Sequence, residues 1–412
     1  MSQSGIVILG AGQAGFQVAA SLREGGFVDP VTLIGDEPGL PYQRPPLSKA
    51  YLAGKVEATG LALRAPAYFE DHGIVHRGGV RGVAIDREAR VLHLDDGTSF
   101  AYEHLVLATG SRNRTLPMAG AELAGVHHLR SLADADCLQA DLAGAESVVI
   151  VGAGFIGLEF ASVCAARGLA VGVVEAGERP MARAVSAQTA SYFTQSHEAA
   201  GVRFAFGAGI RDLVAEAGRI AGVVIADGTA LKADLLLIGI GVVPNQEIAA
   251  DAGLEVADGI VVDAHLATGD PAISAIGDAA RFPSRFASGL PGGDRVRIES
   301  VQNAVDQGRC LAARLVGRPA PYDAVPWFWS DQGPHKLQIA GLSSPSDEAV
   351  VRQSGNGLSV FRYRDGRLSA VESIDRAADH MAARRILTLG LPVTPEQAAD
   401  PGFDLKALAK GV

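Results

Sequence analysis

Cysteine is scarce in this chain of 412 residues: Cys137, Cys164 and Cys310 are all it has. No two stand at CxxC spacing, and an odd number cannot pair completely. A disulfide framework and a structural zinc site are thereby excluded, and no metal is expected. Each cysteine lies in alanine-rich or helical surroundings and reads as a small core residue. Positive charge is also short. The 36 basic residues stand against 46 acidic ones, a net charge of −10, so no overall field attracts nucleic acid or an anionic membrane. Long apolar runs are missing too. The longest, Leu235 to Val243, falls far below the ~20 residues a membrane-spanning helix needs. The opening MSQSGIVILGAG has no basic stretch and no cleavage site, so no signal peptide is read. A cytoplasmic protein with no membrane or nucleic-acid partner is the expectation.

Glycine, by contrast, is abundant, at 50 residues, and the length implies two or three domains. Some of that glycine falls in an internal repeat. Near the start the chain reads GIVILGAGQAGFQVAASLREGG and then VTLIGDE; downstream it reads SVVIVGAGFIGLEFASVCAARG and then AVGVVEAGE. Each copy is a β-branched run, a GxGxxG loop, an alanine-rich helical stretch and a second apolar run ending in acid. That is a βαβ unit written twice. HLVLATG at 104–110, with Thr109 and Gly110, is echoed by DLLLIGIG at 234–241, ending in Gly241. An α/β fold with a duplicated dinucleotide-binding domain accounts for both pairs. From about Pro326 the pattern changes to alternating runs such as KLQIAGL and LSVFRYRDGRLSAVESI, which predict an antiparallel sheet, followed by a helix in DHMAARRILTLG.

In the first copy Gly10 allows the tight turn after the strand, Gly12 lets backbone approach a pyrophosphate, and Gly15 lets helix and sheet pack closely. Amide N–H groups and the helix dipole then face the phosphates. Asp36, 21 residues past Gly15, sits where a carboxylate accepts hydrogen bonds from ribose hydroxyls, with Glu37 competing for the role. The second copy supplies Gly152, Gly154 and Gly157, followed by Glu175. A carboxylate there binds a 2′-hydroxyl and repels a 2′-phosphate, favouring NADH over NADPH, with Arg179 and Arg183 read as surface arginines. Nicotinamide chemistry needs a hydride acceptor, and a second dinucleotide with a redox ring is FAD. FAD and NADH are the expected cofactors.

GAGQAG, PYQRPPLSK at 41–49, LATG at 107–110, AIGDAA at 275–280, RIESVQNA at 297–304 and PWFWSDQ at 326–332 occur in order along the whole chain. Together they resemble the FAD-dependent NADH:ferredoxin reductases of bacterial oxygenase systems. The resemblance implies a glutathione-reductase-like α/β fold: a discontinuous FAD domain at 1–112 and 247–325, an NAD domain at 113–246, and a C-terminal α+β domain at 326–412 covering the flavin. It also implies that Ala14 meets the FAD pyrophosphate and Asp36 the adenosine ribose. Arg44, Pro45 and Lys49 of RPPLSK lie along the cofactor, with Lys49 near flavin N5. Gly82 falls at the adenine end, Thr109 and Gly110 in the cofactor loop, Arg130 beside the isoalloxazine, Asp278 at the ribityl chain and Val301 at the pyrimidine edge. Glu159 pairs with Lys49 and meets the nicotinamide, and Trp329 lies beside the flavin at the partner face.

The disulfide reductases of this fold carry a cysteine pair soon after the first glycine loop, whereas residues 37–60 contain none. Electrons are therefore expected to leave to an outside acceptor, a [2Fe–2S] ferredoxin serving a cytochrome P450 or Rieske oxygenase. Arg295, Arg297, Arg309, Lys336, Arg384 and Arg385 are candidate contacts for an acidic partner. Two other readings stay open: an NADH oxidase or other flavin-dependent NADH dehydrogenase, and a redox-sensing NADH-binding flavoprotein resembling apoptosis-inducing factor.

Overall fold

The computed structural model of the chain describes residues 5–355 and 357–411. Residues 1–4, the head of the stretch read as lacking a leader, lie outside the described residues. The chain divides into two compact units. One comprises Met1–Gln43, Leu61–Arg112 and Val243–Phe328; the other comprises Arg44–Gly60, Asn113–Val242 and Trp329–Val412.

In the first unit the run GIVIL forms strand Gly5–Leu9, buried at every position. It pairs in parallel with Val31–Ile34 on one side and Ser99–Leu107 on the other. Burial on both faces explains why Gly5–Leu9, Val31–Ile34 and the Leu105–Leu107 end of the third strand read as apolar runs rather than alternating ones. Ile74–Arg77 and Ile273–Ala275 extend the parallel part, and an antiparallel ribbon of Gly82–Asp86 and Val91–Leu94 closes the other flank. Helix Gln13–Glu24 leaves the first strand through the glycine loop and buries Ala14, Phe16, Val18, Ala19 and Leu22. Helix Val301–Leu315, capped by Ser300, packs against it. The contact is close enough that a Cβ at Gly308 would lie 3.2 Å from the Ala14 carbonyl and 2.9 Å from Gln17 Cβ.

The second unit repeats the theme. Ser147–Val151, Ala170–Glu175, Arg203–Phe206 and Leu235–Ile238 pair in parallel, and helix Phe155–Ala166 follows the second glycine loop. A small antiparallel sheet, Ile210–Glu216 with Arg219–Ile225 and Ala230–Lys232, packs its Ile220, Val223 and Ile225 into the same core as Val149 and Leu236. The C-terminal sheet runs in the order Trp327–Gln332, His335–Gly341, Arg367–Ile374, Gly357–Arg364, Glu348–Ser354, with helix Ala377–Leu389 after it. The expected antiparallel pairing is seen along the last four of these strands.

Segment Arg44–Gly60 belongs to the second unit although its neighbours in sequence belong to the first. Its departure and return are pinched together: Gln43 N donates to Leu61 O at 2.9 Å and Leu63 N to Pro41 O at 2.8 Å. Leu47 and Leu52 are buried, Tyr51 hydrogen-bonds Asp136, and Arg167 donates to the Leu52 carbonyl. The excursion is thus seated on helices Leu132–Leu142 and Phe155–Ala166.

The cysteines are all free. Cys164 is fully buried and its thiol is pushed up to about 12, as expected of an inert core residue. Cys137 departs from the core assignment and is exposed. Its helix turns Ala135, Leu138 and Leu142 inward, and position 137 falls on the opposite face.

Each unit contains a polar cluster, fully buried in the second and partly buried in the first. In the second, Glu372 is fully buried and accepts from Ser186 N at 2.8 Å, Ser186 Oγ at 2.7 Å and Arg362 Nη1 at 2.9 Å. Ser186 is also the N-cap of helix Ala187–Ala199, so one carboxylate ties the C-terminal sheet to that helix's start. In the first unit, His104 Nε2 lies 2.9 Å from Ser274 Oγ, which Arg314 also reaches at 2.5 Å. Burial, reinforced by the Arg314 cation, pushes the His104 imidazole down to about 4.

Glu372→Ala leaves the Arg362 guanidinium buried without its counter-ion. The expected loss is about 3–5 kcal/mol in urea unfolding, and a loss under 1 kcal/mol would show that the pair is not an anchor. For His104 the native imidazole stays neutral while the unfolded one takes a proton near its ordinary value of 6.5. The unfolded chain therefore binds the extra proton between about pH 6.5 and 4, and stability falls as pH drops through that window. Denaturation at pH 7 and pH 5 should show this loss in the parent and a smaller one in His104→Asn.

Candidate functional site

The two glycine loops share one geometry. Gly10 and Gly152 have φ of +116° and +102°, where a side chain is strained, and a Cβ on them would lie 2.0 Å from Ala108 O and 2.4 Å from Gly239 O. At the third glycines a Cβ would strike the first glycine's own carbonyl, at 1.9 Å for Gly15 and 2.3 Å for Gly157. The middle glycines are different. A Cβ on Gly12 meets nothing within 4 Å, and one on Gly154 only grazes Gly239 O at 4.0 Å. Two glycines in each loop are thus fixed by the fold, whereas the middle one borders open space at a helix N-terminus. That is the shape a pyrophosphate requires.

Other expected residues of the first unit gather at its loop. Thr109 N lies 3.1 Å from the Cβ site of Gly10, and a Cβ on Gly277 would lie 3.0 Å from that of Ala14, which brings the LATG and IGDAA segments to the cradle. Ser111 Oγ donates to Asp278 Oδ2 at 2.9 Å, Thr109 Oγ1 to Asn245 O at 2.6 Å, and Gly110 takes a φ of +68°. Asp36 is exposed beyond the second strand, 3.8 Å from Arg81. A Cβ at Gly82 would meet Leu9 Cδ2 at 2.7 Å, so the strand passes tightly there. Val301 is half-buried at the head of its helix. Sequence reasoning missed Gln307. Its Oε1 accepts from Gly277 N at 2.7 Å and fixes the turn before Asp278, while its Nε2 is buried with no protein partner. An orphaned amide donor beside an open glycine cradle fits a chain that receives a polar group there. These residues therefore suit FAD.

In the second unit Glu175 bonds the loop itself, accepting from Ala153 N and Gly177 N, both at 2.7 Å. Gly241, with φ +99°, borders Arg183, whose Nη2 would lie 3.6 Å from a Cβ there. Arg179 is engaged with the carbonyls of Ala182, Val185 and Ser186, a structural tie rather than a solvated surface charge. The acid and the open cradle beside it suit NADH.

The same unit brings together Lys49 and Glu159, the pair that the resemblance implies. Pro45 starts the 3₁₀ turn Pro45–Ser48, whose entry is held by Arg44 donating to Arg130 O at 2.5 Å, and Lys49 caps its end. Lys49 Nζ lies 3.0 Å from Glu159 Oε1. Glu159 is 5% exposed and also accepts from Ser48 Oγ at 2.5 Å and Ser330 Oγ at 2.7 Å. Burial pushes its carboxyl up, against the opposing pull of Lys49 and both hydroxyls. A partly exposed cation fixed against a buried carboxylate forms a polarised pair able to orient an amide or steady negative charge on a bound ring. Ser48 and Ser330 were not singled out in the sequence. A polar S-x-Q on the inward face of a strand was the signal available, since Ser330 and Gln332 are buried and alternate with half-buried Trp329 and Asp331.

Of the cations named for an acidic partner, Arg297 is only 10% exposed and paired with Asp258 and Glu299, so its charge is spent locally. Lys336 pairs with Asp331 at 3.7 Å and Arg309 with Asp306 at 3.9 Å. Among the described residues there is no cluster suited to a metal ion, and no helix is long and apolar enough to cross a membrane.

Residues 4–308 match the pyridine nucleotide-disulphide oxidoreductase family and residues 327–409 a reductase C-terminal family. Rhodocoxin reductase of Rhodococcus erythropolis is 52% identical over 97% of this chain and 93% of its own length. Putidaredoxin reductase of Pseudomonas putida is 38% identical over 98% and 96%. Among solved structures, the ferredoxin reductase for the CYP199A2 system from Rhodopseudomonas palustris superposes with a TM-score of 0.95 at 50% identity, covering 99% of this chain and 100% of that one. The reductase in a covalent putidaredoxin reductase–putidaredoxin complex gives 0.95 at 37% identity, with 100% of both chains covered.

The cradle geometry separates folding from binding. Gly154→Ala should melt within a few degrees of the parent yet bind NADH at least tenfold more weakly by calorimetry. Gly157→Ala, whose Cβ collides with backbone, should lose stability first. Equal melting losses in both variants would refute the distinction.

Proposed function

The chain belongs to the pyridine nucleotide-disulphide oxidoreductase family, and on that premise we propose that it is an FAD-dependent NADH:ferredoxin oxidoreductase. It oxidises NADH and passes the electrons singly to a [2Fe–2S] ferredoxin that serves a cytochrome P450 or Rieske oxygenase. The observation that carries the reading is the doubled glycine cradle on one chain, supported by full-length relatives named as reductases of ferredoxin-type proteins. Free cysteines, one of them inert in the core, agree with an acceptor outside the chain.

FAD, when bound, supplies the conversion between a two-electron donor and one-electron acceptors. The chain's residues position and tune. We assign the first loop, with Gly10, Gly12, Ala14 and Gly15, to the FAD pyrophosphate, Asp36 to its ribose and Asp278 to its ribityl chain. Gly82, Thr109, Gly110, Arg44, Pro45, Arg130, Val301 and Trp329 complete the proposed flavin contacts. Gly152, Gly154, Gly157, Glu175 and Gly241 are assigned to NADH. Lys49 and Glu159 are assigned the catalytic role of holding the nicotinamide amide and steadying charge on the reduced ring. The division into an FAD domain (1–112 and 247–325), an NAD domain (113–246) and a C-terminal domain (326–412) belongs to the same proposal, as does a cytoplasmic setting.

Purified protein should be yellow, bleach on NADH under nitrogen, and reduce a [2Fe–2S] ferredoxin at least tenfold faster than it reduces oxygen. A colourless preparation that FAD fails to reconstitute sinks the reading. Turnover on oxygen matching that on every ferredoxin tried points to an oxidase instead.

A further inference from the structure

Glu159 is the inner end of a longer chain of hydrogen bonds that no sequence motif announces. Ser330 Oγ donates to Glu159 Oε1 at 2.7 Å, and Gln332 Nε2 donates to Ser330 Oγ at 3.2 Å. His197 Nε2 lies 3.1 Å from Gln332 Oε1, and Gln332 Nε2 also lies 3.4 Å from Met181 Sδ. Ser330, Gln332 and His197 are all at most 4% exposed. His197 and Gln332 line a cleft of about 350 Å³ with Ser162, Ser196 and Pro334, so the outer end of the chain meets the second unit's surface.

The direction of these bonds carries the argument. A hydroxyl pointed at Glu159 must find its own donor elsewhere, and the Gln332 amide provides it. The amide holds that orientation while its oxygen accepts from His197 and its nitrogen faces the Met181 sulfur. The donors that link His197, Gln332 and Ser330 then all point inward, toward one carboxylate, while the amide's other N–H faces the sulfur. Turning the amide over would take the serine proton away from Glu159 and direct it outward. A hydrogen bond to a charged acceptor is worth more than one between neutral groups, and a chain of aligned donors strengthens each member. The inward direction is the one that favours a charged Glu159.

We propose that Ser330 and Gln332, anchored by His197, are positioning residues that hold Glu159 as a carboxylate facing Lys49. They touch neither cofactor nor substrate in this role and act through Glu159 alone. The groups facing the carboxylate are Lys49, Ser48 and Ser330, with Asp331 3.9 Å from the same lysine. Those facing His197 are Gln332, His335 and the edge of the Phe204 ring. The inference rests on the reading of Glu159 and Lys49 as the catalytic pair, which it deepens: the reactivity of that pair is set from the C-terminal sheet.

The test is an infrared titration of the full-length flavin-loaded protein, with the Glu159 acid band assigned by its loss in Glu159→Gln. In Ser330→Ala the acid form should persist roughly one pH unit higher than in the parent. Gln332→Met, close in volume, should move the band the same way by less, and Ser330→Thr, which keeps a hydroxyl, should titrate as the parent does. An unmoved band in Ser330→Ala or in Gln332→Met overturns the proposal. A shift in Ser330→Thr as large as in Ser330→Ala overturns it too, since that would be the mark of disturbed packing. The titration uses neither NADH nor ferredoxin, so failure of electron transfer to any ferredoxin would count against the reductase reading and not against this one.

Discussion

A carboxylate removed from water must be compensated on the spot, and Glu159 is where that requirement shapes this molecule. Desolvation of an ionised acid costs several kcal/mol unless charge and hydrogen bonds replace the lost solvent. The replacements come from distant parts of the sequence: Lys49 and Ser48 from an excursion out of the first unit's sequence, and Ser330 from the first strand of the C-terminal sheet. The excursion, the second parallel sheet and the C-terminal sheet must all be in place for one side chain to be tolerated. Their mutual dependence is consistent with their falling within one compact unit.

Much of the fold was legible because duplication writes the same instructions twice. The glycines at 10, 12 and 15 and at 152, 154 and 157 obey local rules: a turn, an approach, a packing contact. Each rule was visible as a missing side chain at a fixed spacing. The buried parallel strands were legible for the same kind of reason, since both faces being covered forces a continuous apolar run. What stayed hidden depends on distance. Ser330 and Gln332 look like ordinary polar strand residues until the partner across from them is known. Gln307 looks like one more polar position in a helix until its contact with Gly277 N is seen. Cys137 went the other way. Its alanine-rich neighbourhood suggested a core residue, but only the rotation of the helix decides which face is wet.

The family's name includes a disulphide that this chain does not use. The chain's three cysteines are free, and it carries a lysine paired with a buried acid, a pair that is charged rather than redox-active. Such a pair stores no electrons and accepts none. The change from an internal thiol acceptor to an external protein acceptor therefore needs no new fold.

The pinch where residues 41–43 meet 61–63 has an inheritance of its own. Because backbone pairing closes the neck, an insertion or deletion farther out on the excursion is absorbed before it reaches the strands on either side, and lengthening a closed loop adds little entropy cost. The segment that delivers the lysine can drift in length across descendants like a cartridge in a fixed socket. Only the neck and the few residues seated on the two helices are bound to their register.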